Sequence, residues 1–261
     1  MSESDDPLLR AVELSKSFDE VDVLEDLSFT VSSGESVALL GPNGVGKTTL
    51  IRLCAGLTEP SGGGVELEGR SVASWSRRDV AARVALLEQA APRVFDFTAL
   101  ELVLMGFHAR TSRFALPSEE HRARAREAMR RLEIEELAPR PASVLSGGEL
   151  QRTLMARMLV ADAALWLLDE PTNHLDVRHR VALLECVEEH VDGGGAAVAA
   201  MHDLDLASRF FDRVLLLDEG RLVADGPMES TLTEELASRV YGVCLRRGEV
   251  AGRTVWVAGG D

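Results

Sequence analysis

Apolar residues run through this chain in short blocks separated by polar, glycine-rich or amphipathic stretches. The blocks predict strands at Leu27–Val31, Ser36–Leu40, Val84–Leu87, Ala164–Leu168, Ala196–Met201 and Val214–Leu217. Short, nearly continuous apolar runs suit strands covered on both faces, and helix-like segments fall between several of them. That alternation predicts an α/β fold with a largely parallel sheet. Asp218–Gly220 reads as a tight turn into a further short strand at Arg221–Ala224.

The pattern changes between Ala90 and Ala161. Ala99–Phe107 reads as a helix, Ser118 is placed to cap another over Glu119–Leu132, and Pro139 and Pro141 close that stretch before a helix over Glu149–Val160. The expected organisation is one domain over 1–261. Its α/β core spans 1–89 and 162–230, a helical insertion spans 90–161, and a C-terminal helix with short strands spans 231–261. The arginines at 122, 124, 126, 130 and 131 read as a solvated helix face rather than a nucleic-acid patch.

Composition narrows the class. A hydrophobic fraction of 46% and a mean hydropathy of +0.01 belong to a folded chain rather than a disordered one. The longest apolar runs fall far short of the roughly 18–20 residues that span a bilayer. The start, MSESDDPLLR, is acidic and unlike a signal peptide, so a cytoplasmic protein is expected. Cys54, Cys186 and Cys244 form no CxxC pair and read as structural thiols of a reducing compartment. A net charge of −15 argues against broad nucleic-acid binding. Lys16 and Lys47 are the only lysines, which makes the position of Lys47 telling.

The strand Ser36–Leu40 runs into GPNGVGKTT: Gly41, Pro42, Asn43, Gly44, Val45, Gly46, Lys47, Thr48 and Thr49, with LIRLCAGL continuing as a helix. The spacing G-x-x-x-x-G-K-[ST] between strand and helix marks a phosphate loop. Its glycines let backbone amides close around phosphates, Lys47 reaches the terminal phosphates, and the Thr48 hydroxyl can ligate Mg²⁺. Such a loop needs an acidic residue at the tip of a neighbouring strand, and ALWLLDEP supplies two. Asp169 is placed to hold the Mg²⁺ shell and Glu170 to polarise an attacking water. Together they point to an ATPase, with ATP and Mg²⁺ as the implied ligands.

About a hundred residues after the loop stands LSGGELQR, Leu145–Arg152. Its Ser-Gly-Gly step at a helix start is a second place to hold phosphate, through Ser146, Gly147 and Gly148. With these motifs in this order, nearly the whole chain resembles the ATP-binding-cassette (ABC) family. The resemblance implies a cassette with a RecA-like, mostly parallel core, an antiparallel β part and an inserted helical subdomain. It also answers why two phosphate sites exist. In that family the signature of one subunit closes over nucleotide held by the loop of another, which implies an ATP-dependent head-to-tail dimer.

The resemblance assigns further roles. Gln89 matches the glutamine that senses Mg²⁺ and the membrane partner, and His202 in MHDLD matches the switch histidine near the γ-phosphate. Asp176 in TNHLD matches the loop crossing the dimer interface, and Phe18 the aromatic position on adenine, most often Tyr. Three classes compete: a transporter motor, a translation or DNA-repair cassette, and a regulator without turnover. A single cassette without coiled-coil or zinc insertions, and with Glu170 and His202 in place, favours the motor. The pore is then a separate permease, and this subunit sits peripherally on the cytoplasmic face of the membrane.

Three stretches look like motors of importers for iron–siderophore complexes, haem and cobalamin: ALELVLMGFHAR, LDVRHRVALLE and LTEELASRVYGVCLRRGEVAGRTVWVAGG. In the first, Gly106, Phe107 and His108 partly match the group's Gly-Arg-x-Pro-His-like segment, without its proline. That resemblance implies an extracytoplasmic binding protein in the same system. A motor for another metal or an exporter is the runner-up.

Overall fold

The computed structural model describes residues 6–88, 97–111 and 116–259. Its centre is a six-stranded sheet in the order β10-β9-β3-β8-β7-β6. These strands are β3 (Ser36–Leu40), β6 (Val84–Leu87), β7 (Leu165–Asp169), β8 (Ala196–Ala200), β9 (Arg213–Asp218) and β10 (Arg221–Pro227). All neighbours pair parallel except β9 and β10.

The apolar runs become strands because both faces are covered. In β7, Leu165 and Leu167 face one core while Trp166 and Leu168 face the other, and β3 divides Val37 and Leu39 from Ala38 and Leu40 in the same way. One core lies beneath α1 (Lys47–Cys54) and a second sheet. The other lies beneath α3 (Ala99–Leu104), α4 (Glu119–Arg131), α5 (Gly147–Leu159), α6 (Val177–Asp192) and α7 (Leu204–Phe210). A short α2 (Arg77–Ala81) precedes β6.

The second sheet is antiparallel, in the order β2-β1-β4-β5, from β1 (Leu9–Phe18), β2 (Val21–Val31), β4 (Gly62–Leu67) and β5 (Arg70–Ser71). Of these, the apolar pattern gave only the second half of β2. β1 alternates charge with apolar residues and carries register shifts, and β4 opens on three glycines. The chain closes with α8 (Met228–Thr231), α9 (Glu234–Tyr241) and a hairpin of β11 (Leu245–Val250) and β12 (Arg253–Ala258).

Two helices differ from expectation. The Ala99–Phe107 helix is α-helical only to Leu104 and then tightens to a 3₁₀ turn over Met105–Phe107. There Gly106 passes so close to α5 that a Cβ would lie 2.3 Å from the Arg157 carbonyl oxygen. The third helix starts at Gly147 rather than Glu149, because Ser146 and Glu149 form a reciprocal capping box around its first turn. The α4 arginines pair with carboxylates: Arg124 with Asp162 at 2.8 Å, Arg130 with Glu135 at 2.9 Å and Arg131 with Glu189 at 2.6 Å.

Candidate nucleotide site

The loop from Gly41 to Gly46 leaves the end of β3, where strands β8 and β9 flank it. Crevices at such strand ends are the usual ligand position in open α/β sheets. The loop is held from both sides. A Cβ on Gly41 (φ +144°) would meet the Leu217 carbonyl oxygen at 2.4 Å, and one on Gly46 (φ +108°) would meet Leu24 Cδ2 at 2.6 Å. β9 and β2 therefore pack directly on the loop, and only glycine fits. Val45 is buried beneath it, Pro42 is half-buried, and Asn43 and Gly44 are exposed.

Lys47 opens α1 and is buried. Its Nζ donates to the carbonyl oxygens of Gly41 at 2.6 Å and Pro42 at 2.9 Å. An ammonium has three N–H donors, so the loop itself takes two. Burial lowers the Lys47 pKa, and the Glu170 and Asp169 carboxylates act against that. Thr48 follows and donates from Oγ1 to Asp169 Oδ1 at 3.1 Å; Thr49, next in α1, is half-buried. Asp169 ends β7 at 2% exposure, and its pKa is raised by burial against the Thr48 bond.

Glu170 leaves β7 with a left-handed backbone, φ +51°, and its N–H donates to the Ala200 carbonyl at the end of β8, 3.0 Å away. A non-glycine residue in that region stores about 1 kcal/mol or more, and such strain gathers at functional positions. His202 Nε2 meets Glu170 Oε1, while Asn173 Nδ2 donates to Oε2. His202 follows β8 and precedes Asp203, whose carboxylate caps α7 by accepting from Leu206 N–H at 3.0 Å. Glu170, Thr172, Asn173, Arg180, Met201 and His202 line an open cavity of about 300 Å³.

The Ser-Gly-Gly step lies against the loop that continues from Glu170. A Cβ on Gly148 would stand 2.9 Å from the His174 carbonyl oxygen, and one on Gly147 3.4 Å from His174 Cβ. Buried Gln151 ties α5 to the same loop by donating from Nε2 to the Pro171 carbonyl at 3.0 Å. Ser146 and Gly147 are exposed. Asp176 caps α6, accepting from the His179 N–H at 3.0 Å, and this bond lowers its pKa. Phe18 closes β1 at the hairpin into β2; the residue is 48% exposed, with the Lys16 ammonium 4.8 Å from its ring centroid. Gln89 lies outside the described residues.

Fold and site thus bring Lys47, Thr48, Asp169, Glu170 and His202 to the ends of β3, β7 and β8. Asn173 and Gln151 were missed in the sequence. Both stand inside quoted motifs, and only the folded contacts give them a task.

A phosphate loop, an acidic strand end and an adjoining Ser-Gly-Gly helix on one α/β core define a nucleotide-binding cassette. The ABC transporter family profile matches residues 24–173, more than half of the chain, which belongs to this family of ATP-binding, ATP-hydrolysing transporter subunits. It is 43% identical over 220 residues to the hemin import ATP-binding protein HmuV of Nocardia farcinica (strain IFM 10152), covering 84% of this chain and 75% of that one. It is 36% identical over 236 residues to the ferric enterobactin transport ATP-binding protein FepC of Escherichia coli (strain K12), covering 90% and 87%. A solved chain from an inward-facing ABC transporter assigned to the metal-chelate type superposes with a TM-score of 0.81 at 25% identity, covering 97% and 98%. Among the described residues no helix is long and apolar enough to cross a membrane.

The residues present fit MgATP. An added Cβ on exposed Gly44 meets nothing within 4 Å, so that side of the loop is open, and Lys47 retains a donor for an anion. Thr48 and Asp169 bring two hard oxygens together. No group of three or more His, Cys, Asp or Glu that could hold a metal occurs among the described residues. Mg²⁺ is commonly held by one or two protein oxygens together with substrate phosphates, so a sparse donor set suits it.

Proposed function

We propose that this chain is the ATP-driven motor of an importer for haem or ferric siderophores, with cobalamin the related alternative. It works as a head-to-tail pair beneath a separate permease, at the cytoplasmic face of the membrane, with an extracytoplasmic binding protein delivering cargo. The observation that carries the motor reading is Glu170, fixed by His202 and Asn173 beside the loop, Lys47 and Asp169. The relatives' names support the cargo.

In this reading the loop amides and Lys47 grip the phosphates of ATP, and Phe18 offers its open ring face to adenine. Thr48 and Asp169, with Gln89, hold Mg²⁺, which supplies charge neutralisation at the phosphates. Glu170 accepts a proton from the attacking water at a carboxylate oxygen. His202 and Asn173 hold that carboxylate in one orientation. Ser146, Gly147 and Gly148 of the second copy, with its Asp176 loop, complete the site from the other side.

A groove of about 460 Å³ between the β6 edge and the helical layer, lined by Arg78, Leu86, Met105, His108 and Arg157 among others, suits a helix from the permease. Closure of the pair would then move the permease as a rigid body. The test is uptake by a strain deleted for this gene and lacking a redundant system. Wild-type chain should restore uptake of haem or a ferric siderophore, and Glu170→Gln should not. Normal uptake of haem, iron chelates and cobalamin in the deletion strain overturns the cargo reading.

A further inference from the structure

Tyr241 is the chain's one tyrosine, the last residue of α9, and it reaches the first residue of the phosphate loop. The Gly41 N–H donates to the Tyr241 hydroxyl oxygen at 3.2 Å, across 200 positions of sequence. The same glycine presents its carbonyl to Lys47 Nζ at 2.6 Å and packs its Cα against the Leu217 carbonyl. Gly41 is therefore gripped at N–H, Cα and C=O. A glycine otherwise has more backbone freedom than any other residue.

The tyrosine itself is held firmly. Thr233 caps α9 by accepting from the Leu236 N–H at 3.2 Å, and left-handed Gly242 ends it. Ser238 Oγ accepts from the Leu245 N–H at 2.8 Å, which ties the helix to β11. Ala237 and Val240 are buried in the main core, so the ring is carried by a packed helix rather than a loose tail. Burial pushes the hydroxyl pKa up to about 12, with the Gly41 N–H acting against it, and the group stays neutral at working pH.

We propose that Tyr241 is a positioning residue for the nucleotide site: its hydroxyl fixes Gly41, and Gly41 in turn aims its carbonyl at the Lys47 ammonium. The proposal rests on the reading above that Lys47 grips phosphate. It gives the C-terminal helix a task in ATP binding rather than in packing alone.

The test is Tyr241→Phe in the full-length chain, which keeps the ring and removes only the acceptor. ATP affinity is measured by titration calorimetry beside wild type and Lys47→Ala, together with Tm and exchange of the Gly41 amide proton. A buried N–H left without its partner predicts ATP binding weaker by about five- to tenfold. Gly41 exchange should rise, and Tm should fall by only about 2–4 °C. Unchanged ATP affinity with the same fall in Tm shows a purely structural tyrosine and overturns the proposal. If Lys47→Ala binds ATP as wild type does, the reading of the loop fails first, and this inference with it. If Tyr241→Phe does not fold, the wild-type sequence grown with fluorotyrosine reports on Tyr241 alone. Its fluorine resonance must then move when ATP is added, and an unmoved resonance overturns the proposal.

Discussion

The two regions proposed to hold phosphate are built in opposite ways. Around the phosphate loop, several polar contacts join residues far apart in sequence: Thr48 with Asp169, Glu170 with His202, and Gly41 with Tyr241. Lys47 and Asp169 are buried there, so each polar group needs its partner. At the start of α5 the capping hydrogen bonds stay within one turn, although Gln151 and the two glycines rest on the loop after Glu170. Ser146 Oγ accepts from Glu149 N–H at 3.3 Å, and the Glu149 carboxylate accepts from Ser146 N–H at 2.7 Å, an arrangement that lowers the glutamate's pKa. That box uses the amides of Ser146 and Glu149, leaving Gly147 and Gly148 to supply the outward N–H groups of the helix start. One region is locked by the whole fold. The other is a local motif at the surface, the form expected of a piece that works on another molecule.

The largest effect that probes this contrast is chemical. Glu170→Gln keeps the shape and removes the base, so hydrolysis should fall by about 10²–10⁴ with ATP still bound. A phosphate-release assay beside a binding titration checks this. Near-normal turnover would take Glu170 out of the mechanism.

Next in size is a contrast inside the loop. Gly41→Ala drives a methyl to 2.4 Å from a backbone carbonyl, whereas an added Cβ on Gly44 meets nothing within 4 Å and pays only for its φ of +80°. Gly41→Ala should lose several kcal/mol, as severe backbone clashes do, and Gly44→Ala about 1 kcal/mol. Thermal melts of both variants check the order. Equal losses would mean that β9 does not brace the loop.

The smallest effect belongs to the outer region. Ser146→Ala removes a surface helix cap and should cost about 1 kcal/mol, a fall in Tm of roughly 2–4 °C. ATP binding to the isolated chain should be unchanged. A large loss of that binding would show that the signature serves its own loop and erase the contrast.

Sequence pattern reached the locked region better than its supports. Strands β3, β6, β7, β8 and β9 were visible because burial on both faces leaves continuous apolar runs. The loop and the Asp-Glu pair were visible because their chemistry is contiguous. β1 was not, since its charged positions and shifted register hide the alternation, and β4 was not, since three glycines disguise it. Gly63 shows why glycine is there: a Cβ would lie 2.2 Å from the carbonyl oxygens of Val12 and Glu13 on β1. The start of α5 lies two residues before the expected one: the spacing Ser146-x-x-Glu149 is that of a capping box, but the two glycines between them, poor helix formers, masked it. Tyr241 could not be found from local pattern at all, since its task is set by a contact across 200 residues.

In the proposed head-to-tail pair, each working site takes its loop from one copy and its signature from the other. The direct measurement is ATP turnover in a mixture of Lys47→Ala and Ser146→Arg chains, each inactive alone, in the assembled transporter. A mixed pair holds one site with an intact loop facing an intact signature, so mixing should restore part of the activity. If turnover stays at the level of the separate variants while mixed pairs demonstrably form, the signature does not act across the interface and the head-to-tail pair is overturned.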